Sequence, residues 1–184
     1  MNVRTCSQMT NGVASTLVTL SVMMLIISAC QPTPITFRPP NQNELQAFSK
    51  DQGITPVEDK LLNDSVVLLY EKGTSFGYYT LTVRESDGAV EVSHNVSAAK
   101  SDQPILILGQ LTGDQLFIAI VIQDATLLAE TTAIEVIIDS QNRLTATTNR
   151  QAGAILVSPS PVNGWRTVTL YNAQGKVLYS QEGY

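Results

Sequence analysis

From Ser65 onward, short runs of β-branched, aromatic and aliphatic residues are interrupted by turn signals about every 8–12 residues, and this punctuation leaves few folds open. Ser65-Val66-Val67-Leu68-Leu69-Tyr70-Glu71-Lys72 reads as an apolar strand that turns at Gly73-Thr74-Ser75. In residues 76–84, Tyr79, Leu81 and Val83 alternate with Tyr78, Thr80, Thr82 and Arg84, the period of a half-buried strand. Asp87-Gly88 is a hairpin turn leading into residues 89–96. Ile105-Leu106-Ile107-Leu108 and residues 116–122 flank a turn at Thr112-Gly113-Asp114. The second of these runs is apolar on both faces, so we expect a central strand covered on both sides. Residues 133–139 and 143–148 form a hairpin about Ser140-Gln141-Asn142. Residues 154–157 stop at Ser158-Pro159-Ser160-Pro161, and 165–171 pair with 176–180 about Asn172-Ala173-Gln174-Gly175.

No amphipathic helix of a dozen residues separates these strands, which excludes parallel βαβ units. The expected fold is therefore mostly β, an antiparallel β-sandwich of short strands, with one or two short N-terminal helical turns at most. One such turn is Asn43-Glu44-Leu45-Gln46-Ala47-Phe48, with Gly53 as its stop. The other is Thr55-Pro56-Val57-Glu58, which has the form of a capping box with proline at the first helical position. The competing assignment makes residues 57–62 irregular or a first strand.

The N-terminus has a different character. Arg4 precedes an apolar core, Leu17 to Ile27, then Ser28, Ala29 and Cys30. Thr19, Ser21, Ser28 and the polar Gln31-Pro32 leave this run short of the roughly 20 apolar residues a spanning helix needs, so a cleaved secretory signal is expected. Ile27-Ser28-Ala29-Cys30 resembles the lipobox of bacterial lipoproteins: an aliphatic residue, two small residues, then cysteine. The resemblance implies that signal peptidase II cuts before Cys30 and that Cys30 carries the lipid. It also implies a place in the bacterial cell envelope, on the extracytoplasmic face of the cell membrane. If the envelope has two membranes, Gln31 after the cysteine resembles lipoproteins sent on to the outer membrane. Cysteine usage agrees: Cys6 leaves with the signal, and an exported domain usually pairs its cysteines or has none, whereas acylation explains a single Cys30. One acyl chain binds a bilayer marginally, and the multiply acylated cysteine of this family meets the need for more. The expected organisation is a signal peptide over residues 1–29, a lipidated cysteine and tether over 30–42 with four prolines from Pro32 to Pro40, and one β-sandwich domain over 43–184.

After Cys30 the chain carries ten basic and sixteen acidic residues, a net charge of −6. With no basic run, nucleic acid is an unsuitable partner, and an anionic lipid surface would repel the body of the domain. Gly73-Thr74-Ser75-Phe76-Gly77 matches the Gly-x-Ser-x-Gly elbow of serine hydrolases, with His94 nineteen residues after Ser75 and Glu85 and Asp87 between. That elbow needs a helix leaving the serine, and here a strand leaves, so a glycine-serine β-turn is the simpler account. His94 shares parity with Val90, Val92 and Val96, which would put it at the edge of an inward face. One histidine and one acylated cysteine cannot supply a zinc site, and no Asp-x-Asp loop joins Asp87, Asp102, Asp114 and Asp139 into a calcium site. No cofactor is expected beyond the covalent lipid. Among the aromatics, Tyr78 and Trp165 each flank a turn and are the candidates for a binding surface. The expected function is non-catalytic: a lipid-anchored lipoprotein binding a protein, peptide or glycan partner. The alternatives are a structural subunit of an envelope complex and, remotely, a hydrolase using Ser75 and His94.

Overall fold

Local turn chemistry decides the strand pairing in the computed structural model, which describes residues 34–110, 116–148, 150–161 and 164–183. Ser65–Lys72 (β3) and Ser75–Arg84 (β4) are joined by a two-residue loop. Its first residue, Gly73, takes φ 57°, the positive value that primed hairpin turns demand. Asp87 Oδ1 accepts from the Ala89 amide and Gly88 takes φ 71°, folding β4 back onto Val90–Ala99 (β5). In the same way Asp139 Oδ1 accepts from the Gln141 and Asn142 amides between Ala133–Ile137 (β8) and Arg143–Thr147 (β9). Asn172 Oδ1 accepts from Gln174 and Lys176 between Thr167–Tyr171 (β11) and Val177–Glu182 (β12). The expected turn at Thr112-Gly113-Asp114 lies outside the described residues.

Every ladder is antiparallel. The first sheet is a meander of Thr55–Leu62 (β2), β3, β4 and β5, with Phe37–Arg38 (β1) pairing the far end of β4. The second has the order Gly153–Val157 (β10), Phe117–Ile122 (β7), Ile105–Gln110 (β6), and the third the order β12-β11-β8-β9. The protein is mostly β, and its sheets stack as a sandwich with an additional layer.

Strand β7 runs through the middle of that stack. Phe117, Ala119 and Val121 pack with Val67, Leu69, Phe76 and Tyr78 of the first sheet. Ile118, Ile120 and Ile122 pack with Ile134, Val136, Val168 and Leu170 of the third. All six β7 residues are buried, as the unbroken apolar run 116–122 implies. Each fully buried isoleucine contributes about 1.5–3 kcal/mol.

The opposite face of the first sheet is covered by the helix Gln42–Gln52 (α1), whose Leu45 and Phe48 meet Leu68, Tyr70, Tyr79 and Leu81. Asn41 caps it in a reciprocal box with Glu44, and Gly53 ends it at φ 61°, ψ 43°. The expected short turn is thus an eleven-residue helix, because a full box at one end and a left-handed glycine at the other satisfy both sets of orphan backbone groups.

Within the stretch expected as a tether, Phe37–Arg38 pairs with β4 and Gln42 opens α1. Arg38 fixes this segment through a two-pronged ion pair with Glu44, at 2.6 and 2.8 Å. Two further expectations are corrected. Thr55-Pro56-Val57-Glu58 is strand, not helix: it ladders onto β3 with a bulge at Val57, and proline is tolerated there because β2 lies at the sheet edge. A helix at Ala125–Glu130 (α2) interrupts the strands, capped by Asp124 Oδ1 on the Thr126 and Leu127 amides. Asp124 was the available signal for it.

Candidate functional site

The residues that the sequence singles out for chemistry do not meet. Ser75 opposes Ala99 and His94 opposes Thr80, so they are five positions apart along β4, about 17 Å at 3.4 Å per residue. No helix leaves Ser75; a strand does. Gly77 sits inside that strand for a packing reason: a Cβ there would fall 2.6 Å from Tyr70 Oη and collide with the Val96 carbonyl. His94 is exposed, not inward. A bulge at Ser93, where Leu81 opposes Val92 but Thr80 opposes His94, breaks the parity that linked His94 to Val90 and Val92.

Tyr78 is only 3% exposed, set edge-on against Phe117 at 4.8 Å, with burial pushing its phenol above the ordinary range. It is a core residue and offers no binding surface. Trp165 is half-buried against the core between the second and third sheets, with Gly183 pressed on its ring and carbonyl. Cys30 and Asp114 lie outside the described residues. Asp87 pairs with Arg84, and Asp139 is held below the usual carboxylate range by the Gln141 amide and the Asn142 side chain and amide. Among the described residues no three His, Cys, Asp or Glu side chains stand together as a metal-holding group.

The structure instead draws attention to two strand edges that face each other without pairing. Ser158 N donates to Leu116 O at 2.9 Å and Ile122 N to Ala152 O at 2.7 Å, so residues 152, 154, 156 and 158 turn their main-chain groups toward β7. Gly153, Ile155 and Val157 therefore turn theirs the other way. On β9, Thr148 N donates to Thr132 O at 3.1 Å, and Asn142 O accepts from Ile138 N at 3.0 Å. Residues 142, 144, 146 and 148 thus face β8, and Arg143, Thr145 and Thr147 face outward. Among the described residues, β9 ladders only to β8 and β10 only to β7.

Between these edges, flanked by β2, runs a groove of about 760 Å³. Leu144, Ala146, Ile155, Leu156 and Val157 supply its apolar lining, and Glu58, Lys60, Arg143, Thr145, Thr147 and Gln151 its polar part. The volume falls within the roughly 300–1,000 Å³ of ordinary ligand sites. One groove group is already met: Ile155 N donates to Glu58 Oε2 at 2.6 Å. Burial pushes the Glu58 carboxyl above its usual value, and the Ile155 amide and the Lys60 charge pull against that rise. Arg143 is largely exposed and only loosely paired, 3.6 Å from Glu135. The lining sets hydroxyls at Thr145 and Thr147 and charges at Glu58, Lys60 and Arg143 beside an apolar floor.

Sequence reasoning named none of these residues as a site. Glu58 came closest, as part of a supposed helix cap. Comparison of the chain with protein-family models, with curated protein sequences and with solved structures finds no match.

Proposed function

We propose that this protein is a lipid-anchored, extracytoplasmic binding module of a bacterial cell envelope, non-catalytic, with the groove between β9 and β10 as its binding site. The observation that carries the reading is the groove itself. It combines an apolar lining, a mixed polar rim and two strand edges whose main-chain groups turn toward it. Such a surface suits a protein, peptide or glycan partner. The lipobox-like Ile27-Ser28-Ala29-Cys30 supplies the anchor. The net charge of −6 after Cys30 leaves attachment to the acyl chains rather than to anionic headgroups.

The test joins anchor to groove. Cells expressing the native chain or Cys30→Ala are fed an alkynyl palmitate analogue, fractionated and crosslinked. Label on the native chain alone, with membrane recovery and crosslinked partner both lost in Cys30→Ala, supports the reading. Unlabelled native chain in the soluble fraction refutes the anchor.

A further inference from the structure

We infer that the groove takes an extended polypeptide segment as an added β-strand, and that Glu58 occupies the incoming strand's place until the partner displaces it. This rests on the binding-module reading and names its partner class. The argument begins with the main chain. Gly153, Ile155 and Val157 on one wall, and Arg143, Thr145 and Thr147 on the other, present N–H and C=O groups at the two-residue repeat of a strand edge. A row at that repeat matches one ligand type, another polypeptide in extended conformation, and strand addition obtains its affinity from such hydrogen bonds. A glycan presents hydroxyls at no matching repeat.

Natural edges that must not aggregate are commonly blocked, and an inward-pointing charge is one device for doing so. Glu58 has that geometry. Its carboxylate reaches from β2 across to the Ile155 amide at 2.6 Å, where the carbonyl of an incoming strand would have to sit. The bulge at Val57 interrupts the β2–β3 register immediately before Glu58.

Charge selects among segments. The domain as a whole is acidic, but the groove rim carries Lys60 and Arg143 against Glu58. Arg143 is the rim cation best placed to meet a partner's charge, because it is largely exposed and its hold on Glu135 at 3.6 Å is loose. The fitting partner therefore alternates small apolar residues, which reach Leu144, Ala146 and Leu156, with polar ones, and carries an acidic side chain toward Arg143.

The experiment uses the full chain in detergent, panned against a displayed library of twelve-residue peptides. Recovered sequences are synthesised with normal amides and with alternate amides N-methylated, and binding is followed by amide chemical shifts and titration. Expected are alternating, acid-bearing peptides that shift the Gly153, Ile155 and Val157 amides and lose binding when N-methylated. Thr145→Pro, which removes one outward donor from an edge that tolerates proline, should weaken binding about tenfold. Glu58→Ala should tighten it roughly ten- to a hundredfold, while Glu58→Gln, which keeps an acceptor at Ile155, should change it less. Three outcomes overturn the inference: no peptide enriched over background, selected peptides indifferent to N-methylation, or Glu58→Ala binding no tighter than native. If the groove amides respond to oligosaccharides and not to peptides, strand addition fails while the binding-module reading stands. If Cys30 is never acylated, the anchor fails while the groove result stands.

Discussion

Replacing Gly77 by alanine should be among the most damaging single-methyl changes available to this protein. The residue pairs with Tyr70 on β3 and Ser97 on β5, so both of its edges are laddered. The Tyr70 ring lies over it, with Cζ 2.7 Å and Oη 2.6 Å from where a Cβ would be, and the Val96 carbonyl is closer still. The ring cannot simply retreat, because it stacks on Tyr79 at 4.8 Å and its hydroxyl donates to Asn95 Oδ1 at 3.3 Å. Overpacking of this kind costs about 1–3 kcal/mol. Losing the ring stack adds about 0.5–1.5 kcal/mol and losing the hydroxyl bond about 1 kcal/mol. The easier backbone of alanine returns roughly 0.5–1 kcal/mol. The net expectation is about 3 kcal/mol of destabilisation, or roughly 6–12 °C in Tm for a domain of this size. Urea and thermal unfolding of Gly77→Ala measure it directly, and Gly77→Ala with Tyr70→Val should recover part of the loss by vacating the space. A Gly77→Ala protein within about 0.5 kcal/mol of native would refute the packing described for this ladder.

Ile120→Ala, at the centre of the strand buried on both faces, should cost about 2–5 kcal/mol in the same unfolding assays; a smaller loss would mean that the second sheet is not an interior layer. Glu44 is held down to about 2, first by the Arg38 guanidinium and then by the Asn41 amide. Because its folded value lies below the unfolded one, it stabilises the fold above about pH 4.5, and that contribution fades as pH falls toward about 2. Glu44→Gln should therefore flatten the acid limb of the stability profile, and an unchanged profile would contradict the ion pair. Asn41→Ala removes the acceptor for the Asn43 and Glu44 amides and should cost about 1 kcal/mol, read from the urea midpoint. Ser75→Ala should leave folding and partner capture unchanged, and any esterase activity that it abolished would revive the hydrolase alternative.

The legible parts of this fold were those fixed by local chemistry. Asp87-Gly88 and Asn172-Ala173-Gln174-Gly175 each carry a capping side chain and a glycine of positive φ, so their hairpins follow from a few residues. Residues 116–122 announced a doubly covered strand because nothing polar interrupts them. What escaped depends on partners distant in sequence. Thr55-Pro56-Val57-Glu58 is locally a helix start, but β3 has an open edge that this segment fills, and a whole ladder outweighs one capping box. His94 shares sequence parity with Val92 and Val96, but residues 92–97 of β5 are exposed on both faces, Val92 at 46% and Val96 at 40%, so parity there marks no inward side. Tyr78 looked like a surface aromatic beside a turn until the second sheet covered it. The groove was the least legible of all. Leu144 and Ile155 read as ordinary strand residues, and only the divergence of β9 and β10 into different sheets makes their edges face one another.

The measurement that reaches the central claim most directly is photo-crosslinking from a benzoylphenylalanine placed at Thr145 in the native, membrane-held chain, with Ser97 on the exposed β5 edge as the control position. A discrete adduct from position 145, absent from position 97 and lost in Cys30→Ala, is the predicted result. Adducts of equal yield from both positions, or none from 145 in a chain that is folded and anchored, would contradict it.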